Sequence, residues 1–528
     1  MIWHVFRKDL RLLWPLVALV AAVQFANAAF FLVLGHFGEP RELAMIAQLF
    51  SNAVPLGMAA LTVAAVHQDA VPGDRQDWLV RPIRRRDLIF AKLMFVLIAV
   101  HGPMLLADLA HGMATGFAFR DALPAAASRG ALMLLSVSLP ALALAAMTST
   151  LVEFIGGALV IGLALAVMLF VANAEGALPL LAGGLNWMIT ALWSAVALAA
   201  AVVVIPLQYF RRATTLARGL ALGAALSAVI STFIPWAPAF SVQQWLSSDP
   251  AAAEAVAVTF DPDLGKSVIE PGGRNPPNAM WVPLRVSGLA PESLVISDRA
   301  DVRIIGRDGT VLFQGRTTGD PQTTGGRENR PDPVADFPVR TAAGGDVLTH
   351  QLITLPGKIY DLAHGQPVRM ELDYALTLFH IEASDTIAAL NGDKRIADFG
   401  WCKSQRDDDG DEVELGCLKT GNTPACVTAT LENTVSDARN PPYNACRPDY
   451  RPYAARSYPD VMSRFGGGLK FRDLQGLAKY PVDGAQLADA RVLLKSYRPV
   501  AHFTRQLVIP EFRLGDWAPE AMTKTAAP

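Results

Sequence analysis

The chain has 528 residues, with 46 Lys and Arg against 48 Asp and Glu and a net charge of −2. That balance excludes a strongly basic nucleic-acid binder. No basic stripe with interleaved aromatics crosses the polar half, so no nucleic-acid partner is expected. The length allows two or three domains, and composition divides the chain into two unlike parts. Residues 12–237 are poor in charge and rich in Ala, Leu, Val and Gly, whereas residues 238–528 have ordinary soluble composition and hold all four cysteines.

An apolar helix needs about 20 residues to cross a bilayer core. Runs at 12–35, 43–66, 89–114, 130–150, 155–172, 187–207 and 219–236 approach that length. Backbone groups in lipid must bond within their own segment, so these runs are read as helices. The expected architecture is therefore a polytopic α-helical membrane bundle of about seven helices over residues 1–237, followed by a mainly-β, sandwich-like extracytoplasmic domain over 238–528. Pro55, Pro103 and Pro140 lie inside runs and are expected to kink them, while Gly156, Gly157 and Gly162 offer surfaces for close helix contact.

Residues 1–14, MIWHVFRKDLRLLW, place His4, Arg7, Lys8 and Arg11 on one helical face and Ile2, Val5, Phe6, Leu10 and Leu13 on the other. That pattern suits a helix lying in the membrane interface before the first span. The apolar run continues past Ala26-Asn27-Ala28 through Leu34, which reads as an uncleaved anchor rather than a signal peptide. Lys and Arg in short loops set orientation. With the N-terminus in the cytoplasm, the inner segments carry twelve, Lys92 among them, against Arg41, Arg120 and Arg129 outside. Seven passes then place residues 238–528 beyond the membrane, which for a bacterial inner membrane is the periplasm. Cys402, Cys417, Cys426 and Cys446 all fall there, and an even number in an oxidising compartment reads as disulfides. Pairing of Cys402 with Cys417 and of Cys426 with Cys446 is favoured among the three connectivities. Zinc is the rival, without a CxxC or a nearby His pair.

The loop at 67–92, HQDAVPGDRQDWLVRPIRRRDLIFAK, is long, polar and carries six cations. Pro72 and Gly73 interrupt the chain, Asp77-Trp78-Leu79-Val80 suits a short interfacial turn, and Pro82 suits the first position of a helix running through Arg84, Arg85 and Arg86. Such a cluster is either a headgroup anchor or a docking surface for a cytoplasmic partner. The stretch WLVRPIRRRDLIFAKL, preceded by MIWHVFRKDLRLLWP at the start of the chain, resembles the permease subunits of ABC-2-type transporters over residues 1–237. That resemblance implies a membrane subunit that pairs as a homodimer or heterodimer and docks a cytoplasmic ABC ATPase subunit. It also implies a coupling helix at Asp74, Trp78, Leu79, Arg81 and Pro82, continuing into Arg84, Arg85 and Arg86. A seventh span and a large extra domain depart from the six-span pattern of many such permeases.

No nucleotide site is expected in this chain, because the only Gly-Lys-Ser, at 265–267, has Phe260 where a P-loop needs its first glycine. ATP and Mg²⁺ belong to the partner, and no cofactor is expected on this chain. HExxH and GxSxG are absent, so no catalytic residue is assigned and the chain is not read as an enzyme. His101, Asp108 and His111 share a face of the third span. Ionisable groups there serve either a proton relay or substrate contact, or a hydrogen-bonded helix contact. Asp407, Asp409 and Asp411 lie in an acidic run with oxygen ligands for calcium, but without EF-hand spacing, and a solvated acidic turn is preferred.

In the second half, Val368, Met370, Leu372, Tyr374, Leu376 and Leu378 alternate with polar or small residues, the mark of a half-buried strand. Further strands are expected at 253–259, 280–287, 293–297, 301–306, 310–315, 347–355, 490–497 and 501–510, with short helical stretches at 459–465 and 484–490. Residues 316–346 are read as a loop or a boundary between two β lobes. The leading functional expectation is a transporter permease with a periplasmic domain that gates or handles substrate. The alternative is a membrane-anchored binding or sensor protein whose β domain takes a ligand or partner.

Overall fold

The computed structural model describes residues 1–34, 41–69, 84–174, 185–231, 233–264, 278–316, 338–341, 344–397, 400–406, 413–418, 426–433, 435, 443–444 and 489–517. The helical half comprises α1 (Ile2–Leu34), α2 (Arg41–His67), α3 (Arg85–Phe95), α4 (His101–Ala114), α5 (Phe119–Met133), α6 (Leu139–Ala146), α7 (Leu151–Ala174), α8 (Asn186–Pro206) and α9 (Thr214–Ser231). Five stretches among the described residues are long and apolar enough to cross a membrane: Ile2–Phe30, Arg85–Ala114, Phe119–Ala146, Ala191–Arg211 and Thr214–Ser231. The expected second and fifth runs fall on α2 and α7, where shorter apolar stretches, Asn52–His67 and Leu151–Val160, are described. The chain is a membrane protein by this measure.

Two boundaries differ from the sequence reading. The amphipathic opening does not form a separate helix. It runs into the first apolar stretch as one helix of 33 residues, with Val5, Phe6, Asp9 and Leu13 turned inward. The segment expected as a loop before residue 130 is mostly helical, so Arg129 sits on α5, buried within the bundle.

Among the described residues, three π-helical segments interrupt the bundle, at Val96–Val100, Leu134–Ser138 and Leu207–Arg211. Proline explains the first two. It removes the N–H that would bond four residues back, and its ring crowds that carbonyl. For Pro103 the affected carbonyl is that of Ala99, and for Pro140 that of Ser136, each inside a π segment. A widened turn absorbs the mismatch. The third segment follows Pro206 directly. By contrast Pro55 lies within continuous α2.

Between the bundle and the strands lies α10 (Trp236–Trp245). The β-rich remainder contains a three-stranded sheet of β1 (Ala257–Phe260), β2 (Ala279–Leu289) and β6 (Gly345–Thr354). A second three-stranded sheet holds β8 (Asp393–Ile396), β9 (Gly400–Arg406) and β10 (Val413–Leu418). The third, curled sheet has seven strands: β3 (Ser293–Ile305), β4 (Val311–Arg316), β5 (Pro338–Thr341), β7 (Val368–Ala388), β11 (Cys426–Asn433), β12 (Tyr443–Asn444) and β13 (Ala490–Phe512). A short helix, α11 (Gly357–His364), precedes β7. The sequence predicts separate short strands in a sandwich. The structure instead runs β7 over 21 residues and β13 over 23, paired antiparallel along their length and bent at register shifts such as Pro499/Ala501.

One apolar core joins the β1–β2–β6 sheet to the central strands of the large sheet, through Met280, Val282, Leu284, Val302, Leu372, Tyr374, Leu507 and Phe512. At the β2 bulge Gly288 has φ +76°, and a Cβ there would meet the Ala255 carbonyl, so only glycine fits this approach. The expected helical stretch at 459–465, most of that at 484–490, and most of the expected boundary at 316–346 lie outside the described residues.

Candidate functional site

Among the described residues, the strongest concentration of buried charge lies where the end of α2 meets the start of α1 and the base of α3. Lys92 on α3 is 1% exposed. Its Nζ lies 2.7 Å from Asp9 Oδ2 and 2.7 Å from Asp69 Oδ2, and it donates to the Ala65 carbonyl at 2.7 Å. Lys8 donates to both Asp69 oxygens, at 2.6 and 2.8 Å. Three helix segments are thereby tied: Lys8 and Asp9 on α1, Asp69 two residues past α2, and Lys92 in the second turn of α3.

The four formal charges cancel, and Lys92 spends its three protons on three acceptors. This is the condition under which buried ions are tolerated. Burial pushes the Asp69 carboxyl upward, but Lys92 and Lys8 outweigh it and hold it below the usual carboxylate range. Tyr209, fully enclosed, and Gln208 lie on the neighbouring π segment. Arg85 at the start of α3 donates to the Phe210 carbonyl at 2.6 Å, fixing the same corner.

The predicted docking residues divide at this corner. Arg84 precedes α3, and Arg85 and Arg86 form its first turn. Asp74, Trp78, Leu79, Arg81 and Pro82 lie outside the described residues. The charge knot is absent from the sequence expectations, in which Lys92 is one of the loop cations. The available signal was a lysine and two aspartates at the margins of apolar runs, where each needs a partner.

His101, Asp108 and His111 lie on α4, but each meets a different partner. His101 shares a 2.9 Å hydrogen bond with Ser138, on the second π segment. Gln24 of α1 donates to the Val100 carbonyl at 3.2 Å, on the first π segment, so polar groups meet where both helices widen. Asp108 pairs with Arg129 of α5, both buried. His111 Nδ1 donates to the Ala28 carbonyl at 2.9 Å. These contacts tie α4 to α1, α5 and the second π segment, as hydrogen-bonded helix packing does.

At the far end of Arg85–Ala114 the β region touches the bundle. Lys403 of β9 donates to the Gly116 carbonyl and lies 5.4 Å from the centroid of the Phe117 ring. Arg120 stacks over Trp401 at 5.9 Å, and Trp401 packs on the cluster of Leu109, Ala122, Ala125 and Ala126. Between those two contact residues sits Cys402, directly opposite Cys417 in the β9–β10 pair. Cys426 is buried on β11, and among the described residues no cysteine is free. Cys446, the acidic run with Asp407, Asp409 and Asp411, and Gly265-Lys266-Ser267 lie outside the described residues. Among the described residues no group of three or more His, Cys, Asp or Glu is placed to hold a metal ion.

A second junction uses α10. Asp298 occupies the bulge in β3 and accepts from the Thr377 hydroxyl of β7. The Thr377 oxygen lies 2.8 Å from His502 Nδ1 of β13, and the Gln243 amide of α10 lies 2.9 Å from the same nitrogen. Burial pulls the His502 imidazole down to about 4. Burial also holds His350 below its ordinary value.

Two predictions follow from these geometries. Lys92→Met leaves two buried carboxylates, Asp9 and Asp69, to share the single ammonium of Lys8, 3.3 Å from Asp9 and 2.6 Å from Asp69, and costs about 3–5 kcal/mol, read as thermal unfolding of the full chain in detergent. Adding Asp9→Leu recovers part of that loss, because one carboxylate, Asp69, then remains for the one ammonium of Lys8. For His502, the unfolded chain takes up a proton below about pH 6.5 that the folded chain refuses until about pH 4. Its contribution is therefore complete above pH 6.5 and is lost as pH falls, by about 1.4 kcal/mol per unit. In a pH series of unfolding midpoints, His502→Gln is less stable at pH 7 but loses less on acidification than the parent.

Comparison with protein-family models, with curated proteins and with solved structures returns no match.

Proposed function

We propose that this chain is the membrane-spanning permease subunit of an ABC-type transporter, powered by a separate cytoplasmic ATPase. The observation that carries this reading is the basic loop ending in WLVRPIRRRDLIFAKL, rooted in the buried knot of Lys8, Asp9, Asp69 and Lys92. A loop that transmits force must be fixed at its roots. Otherwise a push on its tip is absorbed by fraying of the helix ends.

In this reading the chain passes through a bacterial inner membrane seven times and pairs with a second permease. The loop faces the cytoplasm, and residues 238–528 stand in the periplasm. Trp78, Leu79 and Pro82 present an apolar contact to the ATPase, while Arg81, Arg84 and Arg86 supply charge. Nucleotide-driven movement of the loop passes through α3 and α4, a continuous stretch of 30 residues, to the α4–α5 turn on which Trp401 and Lys403 rest. The β region then gates or receives the substrate. Disulfides from Cys402 to Cys417 and from Cys426 to Cys446 brace the segment around that contact.

Co-purification tests the proposal, with the full-length chain as bait and the P-loop ATPase from an adjoining reading frame as prey. The two are expected to purify together in detergent. Trp78→Ala is expected to weaken capture by about 2 kcal/mol, or roughly 30-fold. Capture that persists after removal of residues 74–82, or no capture by the intact chain, overturns the proposal. In the latter case a ligand-binding or sensing role for the β region becomes the better reading.

A further inference from the structure

The helix α10 has two faces that do different things. One is committed to the β region. Ala239, Phe240 and Gln243 are buried, Phe240 packs with Ala375 of β7, and the Gln243 amide meets His502. Just beyond the helix, Ser247 Oγ accepts from the His502 backbone N–H at 3.0 Å, and the Asp249 N–H donates to the Val500 carbonyl at 2.9 Å. At the other end Trp236 stacks on Phe240, 4.6 Å between centroids, and lies beneath the Arg299 guanidinium at 4.4 Å. These contacts leave α10 little freedom to move apart from the large sheet.

The opposite face has no such cover. Val242 is 46% exposed, Trp245 82% and Leu246 52%. The helix, WAPAFSVQQW, carries no charged residue. A helix face turned to bulk water carries charge or small polar groups. This one offers Trp245 and Val242, with Leu246 just past the helix end, and the exposed Ser241 hydroxyl is turned back on the Ala237 carbonyl at 3.0 Å. The face also follows closely along the chain on Thr214–Ser231, a stretch long and apolar enough to cross a membrane. Leu222, Leu226 and Ile230 form an exposed row on α9 at four-residue spacing, and Phe233 and Ile234, between α9 and α10, are exposed as well. Tryptophan collects at the boundary between headgroups and acyl chains, where its ring has one apolar side and one wet edge.

We propose that α10 lies in the bilayer surface on the side of the β region, with Val242, Trp245 and Leu246 inserted at the headgroup–acyl boundary of phospholipids. The sheet behind it is then seated on the membrane through Gln243, Phe240 and Trp236. It does not hang from α9 on a free tether. The occupant is lipid, because the exposed strip follows closely along the chain on Thr214–Ser231, a stretch long and apolar enough to cross a membrane, and carries no charge to pair with a protein partner. Co-purification of the ATPase has no bearing on this inference, which stands or falls separately.

The test uses the full-length chain in vesicles of phosphatidylethanolamine and phosphatidylglycerol. An environment-sensitive nitrobenzoxadiazole label is attached at Trp245→Cys, or at Val242→Cys should the first substitution disturb the helix. The parent chain is treated in parallel to subtract labelling of native thiols. Leu226→Cys serves as the deep reference and Val311→Cys, on an exposed position of β4, as the aqueous one. The α10 label is expected to emit to the blue of the Val311 label. A shallow doxyl lipid is expected to quench it at least ~2-fold more strongly than a deep one, as insertion of about 5–10 Å requires. Leu226 should give the reverse order. Quenching of the α10 label by aqueous iodide to the extent seen at Val311 overturns the proposal. So does a label shielded from both iodide and doxyl lipid, which reveals a second copy or another protein on this face.

Discussion

A charged group buried in an apolar bundle must find its opposite, and here that requirement fixes which helices meet. Lys92 lies 83 residues from Asp9 and 23 from Asp69, yet one ammonium holds both. The arrangement draws the start of α1, the end of α2 and the base of α3 to one point. It leaves the apolar lengths of those helices to pack by shape. Neutrality of the knot as a whole makes the burial tolerable. Removal of one member leaves a charge in a place where water does not reach.

From that point the bundle has a defined axis. At one end stand the knot, the Arg85–Phe210 contact and the roots of the basic loop. A helix of 30 residues separates them from the α4–α5 turn, about 45 Å away at 1.5 Å per residue. At that turn Lys403, Trp401 and Arg120 join bundle and β region. The first two π segments lie between the two ends, where His101 shares a hydrogen bond with Ser138 and Gln24 donates to the Val100 carbonyl. Pro103 and Pro140 set the position of these two wide turns.

Much of the coarse plan is legible in the sequence because it is local. Apolar length gives the helical runs, and period-two alternation gives β7, β2 and β6. Other features escape for physical reasons. The charge knot and the Asp298–Thr377–His502–Gln243 network join residues far apart in the chain, and no local pattern announces them. Arg129 looks like a loop cation because charge rarely sits in an apolar helix without a partner, and its partner Asp108 is 21 residues away. Strands β8 and β9 are short and rich in charged and polar residues, so they lack alternation. Asp393–Ile396 reads DKRI, for example. The long strands β3 and β13 read as separate pieces because bulges at Ser297/Arg299 and Pro499/Ala501 reset the inward phase.

The functional reading joins two ends of one bundle across a membrane, and topology is its most direct test. Single cysteines at Gln76, in the basic loop, and at Val311, on β4, are challenged with a membrane-impermeant maleimide in intact spheroplasts and in inverted vesicles. The Val311 position should label in spheroplasts, and the Gln76 position only in inverted vesicles. Labelling of both from the same side, or in the reverse order, would contradict the coupling of a cytoplasmic loop to a β region beyond the membrane.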